Sequence, residues 1–504
     1  MTTETLATHP AWIALPLWVV LTSLIAGVLI LVLGESRRRT RVAINLSAAV
    51  LKIILVGGML WGVAEGHEFG FRLPLLPGVD LHLHADALTM LLSTLSAILW
   101  LLTTIYAIGY LENSPNRCRF FGFFSLCVAA TMGVASAGNL FTFFLFYELL
   151  TLSTWPLVIH RGIPEAIRSG FHYLVYTLGG GIFFLVGIIA LYSLTGDQSF
   201  TPGGFVAPGF DPGDNATLLT VIFLLLFTGL AVKAAIVPLH GWLPRAMIAP
   251  APVSALLHAV AVVKAGAFGI VRLVYDVYGL ELTALLGMNH LVAGVAAITI
   301  LWGSIRALQV SDLKQRLAFS TVSQVSYIAL GVGIGGPLAT IGGLVHLVHQ
   351  GLMKITLFFC AGNLAETHGV KTISQMDGMG QRMPWTMAAF TLAALGMIGV
   401  PPIAGFISKW YLGLGGLAEG QSWVVAVLIA STVLNAAYFL PVLRRAWFLP
   451  PTGEGRIHEA PPALLWPALL TAALALGSGI LAGLPISPLG WAELITEQFY
   501  GVRQ

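Results

Sequence analysis

One carboxylate and five lysines stand inside long apolar stretches of this 504-residue chain. Glu148 follows Phe141-Thr-Phe-Phe-Leu-Phe-Tyr147, and Lys52, Lys233, Lys264, Lys354 and Lys409 each fall in a different apolar segment. A charge in mid-hydrocarbon costs at least ~2.5–3.5 kcal/mol on insertion scales, so such a carboxylate needs a counter-charge, a proton or a water-filled cavity. A proton carrier uses all three states. Buried lysine changes its protonation readily, so a row of them can hold and release protons. Lys264 lies about half-way along its segment, too deep to snorkel. Lys52 reads instead as a snorkelling or locally packed side chain.

Histidine titrates near neutral pH and extends the same chemistry. His346, Gln350 and Lys354 recur at four-residue intervals and line one helix face over about 12 Å. His349 sits beside that stripe. His258 precedes Lys264 by six residues, about 240° of helical rotation, so an unbroken helix would not place them on one face. Ser320, Gln324 and Tyr327 share a face that suits bridging waters or helix–helix glue.

Prolines punctuate two of these segments. Pro238, between Lys233 and His240, leaves the carbonyl of Ala234 without its usual donor, and the helix is expected to break one turn after Lys233. Pro401 and Pro402 repeat the device before Lys409. Each break alone could be a packing kink. Two of them, each near a lysine and five spans apart, suggest an ion site at a pair of inverted repeats.

The elements that must carry these groups follow from composition. The chain is 57% hydrophobic and only 9% charged, against about 25% charged in soluble domains. A bilayer-crossing helix needs about 20 apolar residues. Fourteen segments qualify: 11–33, 42–63, 86–110, 120–136, 139–160, 171–194, 216–247, 252–275, 284–306, 315–335, 338–362, 385–413, 421–443 and 463–485. The first lacks a basic leader and reads as a true span. The segments 64–85 and 196–215, the latter with Pro202, Gly203, Gly204 and Pro212, read as extramembrane loops. Alternate loops hold Arg37, Arg38, Arg39, Arg41, Arg117, Arg119, Arg161, Arg168, Arg245, Arg306, Lys314, Arg316, Lys371, Arg382, Arg444, Arg445 and Arg456, whereas the opposite set holds only Arg72, Arg272 and Arg503. Basic residues stay on the cytoplasmic side. Both termini are therefore expected on the outer side of a bacterial inner membrane. The expected architecture is an all-α polytopic membrane protein. It comprises an N-terminal three-helix segment (1–119), a first five-helix repeat (120–275, spans four to eight), a second (276–449, spans nine to thirteen), and a last span with a short tail (450–504). The thinly spread basic residues argue against nucleic-acid binding. Cys118, Cys127 and Cys360 show no metal spacing. Gly331-Val-Gly333-Ile-Gly335 follows no strand and is not a nucleotide loop. No cofactor motif and no redox centre are expected in this chain.

The stretch from Lys233 through Pro238-Leu-His240-Gly-Trp242-Leu-Pro244 to Ala251-Pro-Val-Ser-Ala-Leu-Leu-His258 and Val263-Lys264-Ala-Gly266 resembles a known family. It is that of the antiporter-like subunits of Mrp-type cation/proton antiporters, respiratory complex I and membrane-bound hydrogenases. Tyr147-Glu148, Ser311-Asp-Leu-Lys314 with Ala318-Phe-Ser320-Thr-Val-Ser-Gln324, and Gly405-Phe-Ile-Ser-Lys409 carry the same likeness. It spans roughly segments three to thirteen. The resemblance implies fourteen helices, inverted five-helix repeats and a proton path along a central hydrophilic axis. It places functional groups at Glu148, Lys233, Lys264 and Lys409, and it implies partner subunits in the membrane. The short tail and a lysine at 409 make the D-type component of the Mrp antiporters the nearest match. That implies Na+ or K+ exchange for protons elsewhere in the assembly; the alternatives are a redox-driven complex and a transport-inactive scaffold. Two departures stand out. Arg245 occupies a place where many relatives have Asp. Gln350 stands where a second histidine is usual, with His349 one residue before it.

Overall fold

The computed structural model describes residues 10–111, 114–206, 212–451 and 457–500. Arg456, Arg503, residues 207–211 of the Gly- and Pro-rich segment and both chain ends lie outside the described residues. Among the described residues, thirteen helices are long and apolar enough to cross a bilayer. They are α1 (Leu15–Val32), α2 (Arg38–Ala64), α3 (Ala87–Tyr110), α4 (Arg117–Ala135), α5 (Leu140–Val158), α6 (Pro164–Thr195), α7 (Pro212–Lys233), the compound span of α8 (Ala251–Ala259) and α9 (Val262–Arg272), α10 (Met288–Gln309), α11 (Leu313–Ile334), α12 (Pro337–His368), and two more after the next pair. The twelfth expected span is divided into α13 (Pro384–Ile398) and α14 (Ala404–Ala418). α15 (Trp423–Phe448) and α16 (Pro462–Ile480) complete the set, and α17 (Pro488–Tyr500) follows them. The chain is thus a multi-span, mostly helical membrane protein. The reason is local: hydrocarbon offers backbone groups no partners, so each apolar segment must satisfy its own.

The ends of the helices are written in single residues. Asn139 caps α5 by accepting the amide of Thr142 at 2.7 Å, and Asp312 caps α11 by accepting that of Gln315 at 2.8 Å. Pro164, Pro337, Pro384 and Pro462 open α6, α12, α13 and α16, where a missing N–H costs nothing.

The described chain clusters into two compact units. The first takes in 1–104, 113–233 and 260–288; the second takes in 105–112, 234–259 and 289–504. In the first, α9 packs on α4, α5 and α7. In the second, α12 is the hub, packed by α8, α11, α13, α14, α16 and α17. Every residue of α12 from Ala339 to Leu364 is buried. Helices at the margin, such as α6 with Phe171 and Ile182 and α15 with Val433, turn large apolar side chains outward.

Four features depart from the sequence reading. Segment 64–85, expected only as an extramembrane loop, contains a β-hairpin: β1 (Phe69–Leu76) pairs antiparallel with β2 (Val79–Ala85), Phe69 opposite Ala85. The turn is Pro77-Gly78, with Gly78 at φ 78°. α7 ends at Lys233 itself, not one turn later, because Ala235 takes a left-handed φ of 56°. The eighth span is interrupted at Val260–Ala261, so Lys264 begins a second helix instead of sitting within one. The tail, expected only as short, contains the amphipathic α17.

Candidate functional site

In the first unit, the site grows from the end of α7. Lys233 is its last residue and is fully buried. The unpaired carbonyls of a helix C-terminus favour a cation. Its ammonium donates to the carbonyl of Tyr147 and lies 3.3 Å from the centroid of the Tyr147 ring, a cation–π contact. The Tyr147 hydroxyl in turn donates to Gly229 O on α7 at 2.9 Å, fixing the ring under the lysine. Glu148 Oε1 is 3.6 Å from Lys233 Nζ, an ion pair with no hydrogen-bond partner on that oxygen among the described residues. Gly181 of α6 makes room for it: a Cβ there would lie 2.6 Å from Oε1. Lys264, in the first turn of α9, is fully buried, and its Nζ finds no hydrogen-bond partner among the described residues.

The second unit is organised by the break between α13 and α14. Pro401 and Pro402 have no N–H, and they stand four residues after Met397 and Ile398. Both carbonyls therefore lose their helical donors. Lys409 supplies replacements, with Nζ 3.2 Å from Met397 O and 2.6 Å from Ile398 O, and it also reaches Thr432 Oγ1 at 3.2 Å. Asn435 Nδ2 at 3.2 Å and Gln324 Nε2 at 3.5 Å share Met397 O. From Asn435 the network continues inward: Tyr438 Oη donates to Asn435 Oδ1 at 2.7 Å, Ser320 Oγ lies 2.8 Å from Tyr438 Oη, and Lys354 Nζ donates to Ser320 Oγ at 2.6 Å. Lys354 and Lys409 are thus ends of one continuous hydrogen-bonded chain.

The His346, Gln350 and Lys354 stripe is present on α12, but its members reach different partners. His346 Nδ1 is 2.7 Å from Ser408 Oγ, and its ring packs 5.0 Å from that of Tyr327. Gln350 Nε2 reaches His258 O at 3.5 Å. His349 is buried beside them and joins none of these bonds. His258, in the last turn of α8, packs its ring at 4.5 Å and a 32° tilt against Phe358. His240 follows the Pro238 break and faces the Phe319 ring at 6.3 Å. The Val237 amide beside Pro238 donates to Thr299 Oγ1 at 3.1 Å.

Thr432, Asn435, Tyr438 and Ser408 escaped the sequence reading. The signal was available: Thr432, Asn435 and Tyr438 recur every three residues in an otherwise apolar helix, and Ser408 adjoins Lys409. Lys52 does not snorkel. It is fully buried, 2.5 Å from Ser23 Oγ and 4.4 Å from the Trp100 ring centroid, so it is packed locally. Among the described residues no group of His, Cys, Asp and Glu is arranged to hold a metal ion.

The fold and these residues define a class, a multi-span and mostly helical membrane protein with a lysine at each of two helix breaks, one of them 3.6 Å from a glutamate. The chain belongs to the NADH:quinone oxidoreductase/Mrp antiporter transmembrane family, whose model matches residues 137–435. It is 37% identical to NADH-quinone oxidoreductase subunit N of Desulforudis audaxviator, over 80% of this chain and 82% of that one. It is 34% identical to NADH-quinone oxidoreductase subunit L of Mycobacterium tuberculosis, over 96% of this chain and 76% of that one. Its fold matches a chain of the Mrp complex from Dietzia sp. with a TM-score of 0.85 at 23% identity, covering 98% of each.

Proposed function

We propose that this chain is the proton-translocating subunit of a multi-subunit cation/proton antiporter, of the D-type Mrp kind, exchanging Na+ or K+ for protons. The observation that carries the reading is the Glu148–Lys233 pair at the end of a broken helix, 3.6 Å apart and otherwise sparsely bonded. Two opposite charges this close in a low-dielectric interior interact strongly. A proton placed on Glu148 removes that attraction and frees the Lys233 charge to act on the next group. The proposed order is Glu148, Lys233, Lys264, then His346 and Lys354, then Lys409. Repulsion between successive cations then lets a proton arriving at one end help eject one at the other. Spans four to eight and nine to thirteen act as the inverted repeats, each with a proline break beside a lysine. Both termini face the outer side, and other membrane subunits complete the assembly.

Glu148→Gln tests the reading. The amide keeps the shape and cannot ionise, so the complex should assemble and lose coupled proton transport in membrane vesicles. Wild-type transport by assembled Glu148→Gln would overturn it. A second reading is a proton-pumping subunit of an NADH:quinone oxidoreductase-type complex, favoured by the 37% and 34% identities to subunits of that enzyme.

A further inference from the structure

A second cluster of ionisable groups lies in the first unit, where the eighth span nears the β-hairpin. After Arg272 the helix widens into a π-helical stretch, Leu273–Tyr278, which carries Asp276. Lys264, Phe268, Arg272 and Asp276 follow one another at four-residue intervals. Arg272 Nη1 donates to Asp86 Oδ2 at 2.6 Å and to Asp276 Oδ2 at 2.7 Å; its Nη2 donates to Asp86 Oδ1 at 2.9 Å and to Thr89 Oγ1 at 3.2 Å. Asp86 stands just before α3, and its Oδ1 also accepts the Thr89 amide at 2.7 Å. The guanidinium is held against the rings of Phe200 and Phe268, each 5.3 Å away. Backbone ties hold the neighbouring segments beside the cluster: His84 N bonds Ser136 O at 2.7 Å, and Thr201 N bonds Asp276 O at 3.1 Å.

The bonding is unequal. Both oxygens of Asp86 are occupied, whereas Asp276 Oδ1 is buried and has no hydrogen-bond partner among the described residues. Two carboxylates against one guanidinium leave one negative charge in excess, on a residue only 1% exposed. An unpaired buried charge is removed by whatever neutralises it. Most charged side chains on the surrounding elements have partners of their own. On the helices packed against α9, Lys233 pairs with Glu148, and Arg117 pairs with Glu35. Asp197 accepts the amides of Gln198 and Ser199 at 2.6 and 2.9 Å. On β2, His84 lies within electrostatic reach of Asp86. His82 is pushed down to about 4 by partial burial, with Arg72 and His84 adding to the effect, so it brings no charge at neutral pH.

We infer that Asp276 is a second proton-holding site of the first unit, on the hairpin side of Lys264, and this inference rests on the proton-translocation reading. The proton bonds to Asp276 Oδ1. Oδ2 keeps its contact with Arg272, and the triad becomes neutral as Asp86 carboxylate, Arg272 guanidinium and Asp276 carboxylic acid. Release of that proton to the hairpin side restores the excess charge, which then draws the next proton along α9.

Infrared titration of the purified complex in lipid tests this, with transport measured alongside. The expected spectrum holds a titrating carboxylic acid that is lost in Asp276→Asn and regained in Asp276→Glu. Asp86→Asn should also abolish it, because Arg272 and Asp276 then form a matched pair and Asp276 stays ionised; this arm stands even if Asp276→Asn fails to assemble. Persistence of the band in both asparagine variants overturns the site, as does a band that responds to Na+ or K+ but not to pH. Those results with Glu148→Gln inactive leave the translocation reading intact, whereas Glu148→Gln transporting normally overturns that reading itself.

Discussion

At the scale of single residues, the Glu148–Lys233 pair depends on what is missing beside it. Gly181 brings backbone where any side chain would press on the carboxylate, with a Cβ 2.6 Å from Oε1 and 2.8 Å from Cδ. The carboxylate is the free end of a flexible side chain, so it is the part that yields. Gly181→Ala should therefore fold and assemble at least as well as the parent, since alanine favours a helix over glycine by about 1 kcal/mol. It should transport poorly because Glu148 is turned away from Lys233. The check is a thermal melt beside a vesicle transport assay; normal transport in a stable Gly181→Ala complex would show that the separation of the pair does not matter.

At the scale of elements, the break between α13 and α14 gives Lys409 two duties. It ties the carbonyls of Met397 and Ile398 that Pro401 and Pro402 leave open, and it ends the chain of bonds that begins at Lys354. The duties separate by substitution. Lys409→Leu leaves the Ile398 carbonyl unpaired, at about 1–3 kcal/mol, while Met397 O keeps Asn435 and Gln324, so both stability and transport should fall. Lys409→Arg keeps donors for the carbonyls but holds its proton at any accessible pH. It should recover the melting temperature of the parent complex and still fail to transport. Transport restored together with stability would reduce Lys409 to a helix tie. Gly399, at φ 100° with a Cβ position 2.9 Å from Lys409 Cδ, shows how closely the turn is built around this side chain.

At the scale of the whole molecule, the proposed function makes the chain a component whose driving force lies outside it. Its family spans antiporters and quinone-reducing complexes, so its partners decide which of the two it serves. Affinity purification of the chain from its native membrane should bring down small antiporter membrane subunits, and vesicles holding the complex should exchange Na+ or K+ for protons without NADH. Iron–sulfur subunits in the same preparation, with proton uptake dependent on NADH and quinone, would establish the redox reading instead.

Much of this was legible in the sequence because lipid is a strict solvent. Twenty-residue apolar runs must become helices, proline must free a carbonyl, and an ionisable residue in hydrocarbon must have a function or a partner. Hence most of the spans, the existence of both proline-linked breaks, the buried Lys233, Lys264 and Lys354 and the half-buried Glu148 and Lys409 follow from residue types and spacing; the exact end of α7 does not. Other features belong to the tertiary structure, since they depend on groups far apart in the chain or on backbone angles that no residue type dictates. The interruption at Val260–Ala261 contains no proline or glycine. The hairpin's pairing takes its ties from the turn near Ser136. Tyr438 and Asn435 join Lys354 to Lys409 only because α15 packs against the break between α13 and α14. The excess charge at Asp276 exists only because Asp86, 186 residues before Arg272, is folded onto the same guanidinium.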